Sequence, residues 1–192
     1  MVTSDLIHAL FYVLLARDRP TAIHCRNVSK YAMTIGSALD LDQKDMKELY
    51  VAALLHDCGK IGLPDKLLKT SRKYTRWEKQ MVQQHVVIGK NLLMSLGFSK
   101  KIVDSVYYHH ERYDGMGYIE GLKGEKIPLF GRIIAIADTF DALISKRPYR
   151  DPLPIQQALN VLKDAKGQFD PDLLDCFLRY MDKSYIDIDE DA

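Results

Sequence analysis

A chain of 192 residues, 47% of them hydrophobic and 28% charged, is long enough for one compact domain with a substantial core. Its formal charge of +1 excludes broad electrostatic capture of nucleic acid or membrane, so no direct DNA or membrane binding is expected and any anionic ligand must be held by local charge. Cys25, Cys58 and Cys176 are odd in number, widely spaced and without a C-x-x-C pair, which excludes a disulfide framework and a zinc ribbon and points to reduced, cytosolic thiols.

Thr3 or Ser4 caps a first helix to about Ala16, with Leu6, Leu10, Val13 and Leu14 on one stripe. Its apolar run from Leu6 to Ala16 falls short of the roughly 20 residues a membrane span needs. No basic n-region or cleavage site marks a signal peptide, so a cytoplasmic location is expected. A second helix from about Thr21 sets His24, Val28, Tyr31, Ile35 and Leu39 at spacings of three and four, which turns His24 toward the core. Asp42 caps a third helix to His56, with Gly59 as its stop. The stretch Ile61 to Tyr74 reads as a loop with a short helical turn at Asp65 to Leu68.

Thr75 and Glu78 form a capping box for a fourth helix that carries His85, Ile88, Leu92 and Leu96 and ends at Gly97. Ser99 caps a fifth, which runs to the pair His109-His110. Glu111 to Pro128, with four glycines, is too irregular for an element and too long for a simple connection, so it is expected to form part of a site. Leu129 to Ser145 reads as the most buried helix, interrupted by Asp138 and Asp141. Pro154 at a first helical position opens a helix to about Lys166, Asp170-Pro171 another to about Lys183, and an acidic tail, frayed, follows from Ser184 to Ala192. With no strand-like alternation and no linker, the fold class is all-α: a bundle of about seven to nine helices in a single domain, residues 1–183.

Five histidines, His24, His56, His85, His109 and His110, fall on inward faces or at helix ends. Taken singly, a histidine is more often structural than a ligand. Asp138 on an apolar helix, however, requires a cation or donors, since an unpaired buried carboxylate costs several kcal/mol. Imidazoles mixed with the carboxylates of Asp57 and Asp138 suit iron, manganese, cobalt or zinc better than magnesium or calcium. Seven candidate ligands exceed one tetrahedral site and match two metals sharing a carboxylate, a centre suited to phosphate-ester hydrolysis.

His24, the pair His56-Asp57 and Asp138 resemble the H...HD...D signature of the HD phosphohydrolase superfamily. The runs HDCGKIGLPDKLL, HHERYDGMGYIEGLKGEKIP, RIIAIADTFDAL and RPYR resemble its HD-GYP subgroup of bacterial cyclic di-GMP phosphodiesterases. The resemblance spans about residue 5 to residue 180 and implies the HD-domain helical bundle. It further implies that His24, His56, Asp57 and Asp138 hold one metal ion and His85, His109 and His110 a second, with Asp57 bridging; iron or manganese is the expected pair. Lys60 would lie near the attacking hydroxide or the scissile phosphate, oriented by Asp141, and Arg147 and Arg150 would hold substrate phosphates, for which guanidinium forks are suited.

The signature reads Gly117-Tyr118-Ile119, so the proline that stiffens this loop in the family is replaced. Pro20 stands where three-metal members place a glutamate, so two metals are expected. Arg112, Asp114 and Tyr118 either read a guanine base or pin the loop. Lys66, Lys69, Lys73 and Lys146 read as solvated, and Cys58 as a small core residue. The expected activity is hydrolysis of cyclic di-GMP to the linear dinucleotide, with GMP after a second cut. The alternatives are another cyclic dinucleotide or nucleotide phosphoester, or a silent nucleotide-binding or interaction module. Expected partners beyond the cyclic dinucleotide are a second copy or an upstream sensor or receiver domain, and a protein at the signature loop.

Overall fold

The computed structural model describes residues 2–70, 72–146 and 151–189, the last eight by their backbone alone. Every regular element among these residues is helical, and no strand occurs among them. α1 (Ser4–Arg17) starts where the Thr3 hydroxyl accepts the Leu6 N–H, and α2 (Arg19–Ala38) where Asp18 accepts the Thr21 N–H. α3 (Gln43–Leu55) is capped by Asp42 and closes at His56. These side chains satisfy amides that the first turn of a helix leaves unpaired.

After α3 the chain tightens into a 3₁₀ turn (Cys58–Gly62) and a short α4 (Asp65–Leu68). The single helix expected from Thr75 to Gly97 is two: α5 (Arg76–Gln83), opened by the Thr75/Glu78 capping box, and α6 (His85–Ser95). They break where the Val82 carbonyl accepts the His85 ring N–H at 2.7 Å, a side-chain contact that periodicity does not reveal. α7 (Lys100–Tyr108) is capped by Ser99, and the long loop to α8 (Leu129–Ile144) contains one 3₁₀ turn at Gly124–Lys126.

α9 (Ile155–Asp164) stops short of Lys166, and α10 (Pro171–Asp189) runs past Lys183, so the backbone expected to fray from Ser184 is helical as far as Asp189.

α8 lies at the centre. Its Phe130, Ile133, Ile134, Ile136, Ala137 and Phe140 are buried among side chains of α2, α3, α7, α9 and α10. Phe140 meets Tyr31 and Phe177 edge-on at centroid distances of 4.9 and 5.1 Å. Such rings anchor a core, and truncation to alanine typically costs about 3–5 kcal/mol. This packing fixes the face of α8 that carries Asp138 against α2 and the ends of α3 and α7.

Candidate metal centre

Five elements each deliver a polar side chain to one point. His24 comes from α2, His56 and Asp57 from the end of α3, His85 from the start of α6, His109 and His110 from the end of α7, and Asp138 from α8. A close backbone approach joins two of them. A Cβ on Gly59 would lie 1.9 Å from the His85 carbonyl oxygen and 2.5 Å from the Gly89 amide nitrogen. Only glycine lets the 3₁₀ turn press against α6, and that contact brings His85 beside Asp57.

Three rings are oriented alike. The Nδ1 of His56 donates to the Ala53 carbonyl at 2.7 Å, that of His85 to Val82 at 2.7 Å and that of His109 to Val106 at 2.8 Å. A carbonyl only accepts, so each Nδ1 carries the proton and each Nε2 presents a lone pair. Those three Nε2 atoms and Asp57 Oδ1 are buried without a hydrogen-bond partner. His85 Nε2 stands 3.2 Å from Asp57 Oδ1, and His56 Nε2 3.5 Å from Oδ2. Acceptors that face one another in a dry interior are costly unless a cation lies between them. The donor set therefore fits a divalent metal ion.

Asp57, His85, His109 and His110 each offer a ligand atom within 4.8 Å of the others, and His24, His56 and Asp138 form a second such set. Cys25 Sγ lies within the same distance of His56 and Asp57 ligand atoms. Burial holds this thiol well above its ordinary pKa, so it is neutral.

His24 is held differently from the other rings. Its Nε2 lies 2.8 Å from Asp138 Oδ1 and its Nδ1 2.6 Å from Asp141 Oδ2. Burial opposes a charge on this ring, but the two carboxylates outweigh it and push the imidazole up to about 9. Burial also opposes the Asp138 carboxylate, which His24 nevertheless holds below its ordinary range. Burial, with the charge of His24 beside it, lowers His56 against the pull of Asp57 and Asp138. In His109 and His110 burial, aided by neighbouring rings, keeps the imidazoles neutral, His110 down to about 3. Asp57 stays ionised against its burial because Lys60 and the facing histidines favour the charge, and Asp57 in turn holds Lys60 above its ordinary value despite burial.

Lys60 Nζ donates to Asp57 Oδ2 at 2.6 Å and is 23% exposed, so it reaches from the cluster to its mouth. Asp141, expected to orient Lys60, is bonded to His24, and the partner of Lys60 is Asp57. Asp141 is 1% exposed, behind His24, and accepts from Ser145 Oγ at 3.1 Å. Arg112 is engaged within the loop, where two of its nitrogens bind Asp114 and the third the Gln168 side chain. Tyr118 stacks on His110 with centroids 4.8 Å apart. Burial, followed by the Asp57 and Asp138 charges, raises its hydroxyl. Tyr118 and Ile119 are joined by a cis peptide bond. Arg147 and Arg150 lie outside the described residues.

Glu111 was not among the expected site residues, yet it organises the signature loop. Its buried carboxylate accepts the backbone N–H groups of Glu120, Gly121 and Leu122 at 2.7, 3.0 and 3.1 Å. Gly117 passes so close beneath that a Cβ would lie 2.3 Å from the Arg112 amide nitrogen. The available signal was a lone carboxylate directly after two histidines, at the start of a glycine-rich stretch.

Residues 9–173 match the HD domain family. The chain is 35% identical over 180 residues to a cyclic di-GMP phosphodiesterase of Thermotoga maritima, covering 90% of this chain and 47% of that protein. It is 39% identical over 181 residues to the cyclic di-GMP phosphodiesterase response regulator RpfG of Xanthomonas campestris pv. campestris, covering 92% and 46%. It thus spans about half the length of these curated relatives. A cyclic GMP-AMP specific phosphodiesterase of V. cholerae superposes with a TM-score of 0.70 at 23% identity over 93% of this chain and 48% of that one, a likeness of fold.

Proposed function

The chain belongs to the HD domain family, in its HD-GYP branch, and from that premise we propose that it is a metal-dependent phosphodiesterase of cyclic dinucleotides. Cyclic di-GMP is the leading substrate and the linear dinucleotide the first product. The observation that carries this reading is the convergence of four buried, unpartnered ligand atoms, His56 Nε2, His85 Nε2, His109 Nε2 and Asp57 Oδ1. Both relatives named above are cyclic di-GMP phosphodiesterases.

His24, His56, Asp57 and Asp138 would hold one divalent ion and His85, His109, His110 and Asp57 a second, and the mixed imidazole and carboxylate donors favour iron or manganese. Two such ions supply Lewis acidity and a hydroxide nucleophile at neutral pH. The chain's own groups do the rest. Asp57 is ionised and faces rings of both sets, so it would serve as a ligand common to the two ions. Lys60 carries its charge from Asp57 to the mouth, where an ammonium stabilises the negative oxygen that develops at phosphorus or on the leaving sugar. Tyr118, stacked on His110, shields that side of the cluster from water. Arg147 and Arg150, assigned by their match to the family run, position the phosphates.

The test is metal content per chain, measured anaerobically, together with the product formed from cyclic di-GMP. About two ions and a linear dinucleotide are expected; metal-loaded protein that leaves cyclic di-GMP intact would overturn the substrate. Ile119 in the signature loop favours a second reading, hydrolysis of another cyclic dinucleotide, and side-by-side turnover of cyclic di-GMP, cyclic GMP-AMP and cyclic di-AMP separates the two. No helix among the described residues is long and apolar enough to cross a membrane. We place the enzyme in the cytoplasm, as one domain over residues 1–183 that works with a second copy or with a sensor or receiver domain.

A further inference from the structure

The near-neutral charge of the whole chain conceals a local imbalance. Across the chain 27 basic residues face 26 acidic ones, but residues 66–79 contain Lys66, Lys69, Arg72, Lys73, Arg76 and Lys79 against the one acid Glu78. That acid is already engaged: Arg72 binds it with two nitrogens at 2.8 and 2.6 Å, and the Thr75 amide and hydroxyl also donate to it. Asp65, just ahead of the stretch, is shared by Arg17 and Lys69. Lys66, Lys73, Arg76 and Lys79 are exposed, and none has an ion pair among the described residues.

The helix in this stretch is equally unusual. α5 has eight residues and buries none of them. Isolated helices so short are marginal in water, and here the capping box and the Arg72–Glu78 fork hold the first turn in place of core packing. Trp77, the sole tryptophan of the chain, is 70% exposed, and Tyr74 is 39% exposed. Met81 lies one turn beyond Trp77 on the same face of α5, and Lys73 precedes the Thr75 cap in the segment that leads into the helix.

We propose that the face centred on Trp77 is a docking surface for an anionic phospholipid membrane. An aromatic ring suited to headgroup depth, flanked by unpaired lysines and an arginine, has the composition of a peripheral lipid anchor, and its charge is complementary to acidic headgroups. The surface adjoins the histidine cluster, since the last turn of α5 supplies the Val82 carbonyl that orients His85. Binding there would hold the metal centre at the lipid surface. The inference is independent of the proposed reaction.

The lone tryptophan is its own reporter. Vesicles of phosphatidylglycerol should shift its emission to the blue, protect it from acrylamide and pellet the protein, whereas pure phosphatidylcholine should do none of these. A Lys73→Gln/Arg76→Gln double variant should bind about thirtyfold more weakly, at roughly tenfold per 1.4 kcal/mol and about 1 kcal/mol per cation. Its circular dichroism and melting should stay unchanged. An absent shift with phosphatidylglycerol, an equal shift with phosphatidylcholine, or undiminished binding by the double variant would overturn the proposal. So would a shift produced only by a single-stranded oligonucleotide, by polyglutamate or by cyclic di-GMP, any of which would assign the surface to that ligand.

Discussion

The two halves of the histidine cluster are built on different principles. In the half made by His85, His109 and His110, Nδ1 of the first two donates to a carbonyl three residues back. Asp57 is the single carboxylate of that set, and burial keeps His109 and His110 uncharged. In the half made by His24, His56 and Asp138, His24 stands between the carboxylates of Asp138 and Asp141. One half is held by contacts within single helix ends and offers neutral donors; in the other, His56 keeps such a contact but His24 is held by carboxylates more than a hundred residues away in the chain, which concentrate negative charge there. Two donor sets assembled this way are chemically unequal, and Asp57 is the carboxylate that faces rings of both.

Removing that carboxylate should have the largest effect. Asp57→Ala should bring metal content from about two per chain toward none and lower turnover by at least about 10³-fold, since a lost electrostatic group at a reacting centre alone costs 10²–10³. Retention of both ions, measured by elemental analysis, would end the bridging assignment. Lys60→Gln should lower turnover by about 10²-fold with both metals still bound; a loss of metal would instead make Lys60 a structural partner of Asp57. Asp141→Asn should weaken only the half that contains His24, by roughly ten- to a hundredfold in metal affinity. Equal loss from both halves in a competitive titration would erase the distinction between them.

A smaller effect concerns the metal-free protein. The folded-state pKa of His24 is raised from 6.5 to about 9, so the folded state binds this proton more tightly than the unfolded chain. Its stabilisation is therefore complete below about pH 6.5 and is lost as the pH rises through about 9. The melting temperature of metal-free protein should fall across that window, and the fall should vanish in His24→Gln. An unchanged slope in that variant would place the titrating group elsewhere.

The sequence made legible what is written locally. Thr3, Asp42, Thr75 with Glu78, and Ser99 each cap the helix expected of them, because a cap is a contact between residues two or three apart. The histidines and Asp138 could be picked out as candidates because ionisable groups on apolar faces need partners. What stayed hidden depends on which side chain meets which across the chain. Asp138 and Asp141 are spaced by three and face one way along α8, which was a clue to their shared partner, but nothing in the spacing names His24, which sits 114 and 117 residues away. The split between α5 and α6 comes from one ring bonding to one carbonyl. Glu111 gathers three amides nine to eleven residues ahead, a loop geometry that no periodicity encodes. Lys66, Lys69 and Lys73 are exposed, as their solvated reading expects, but a charge averaged over the whole chain does not reveal their concentration beside Trp77.

The bonds from His56, His85 and His109 to carbonyls three residues behind them have a further consequence. Each ring has lost its rotational freedom when its own helix end forms, before any ion arrives. Binding then orders almost nothing further at these three rings, so the affinity they contribute is carried by the donors with little subtracted for conformational entropy. Substitutions that loosen those helix ends, though they touch no ligand, should weaken metal binding through the freedom they restore to the rings.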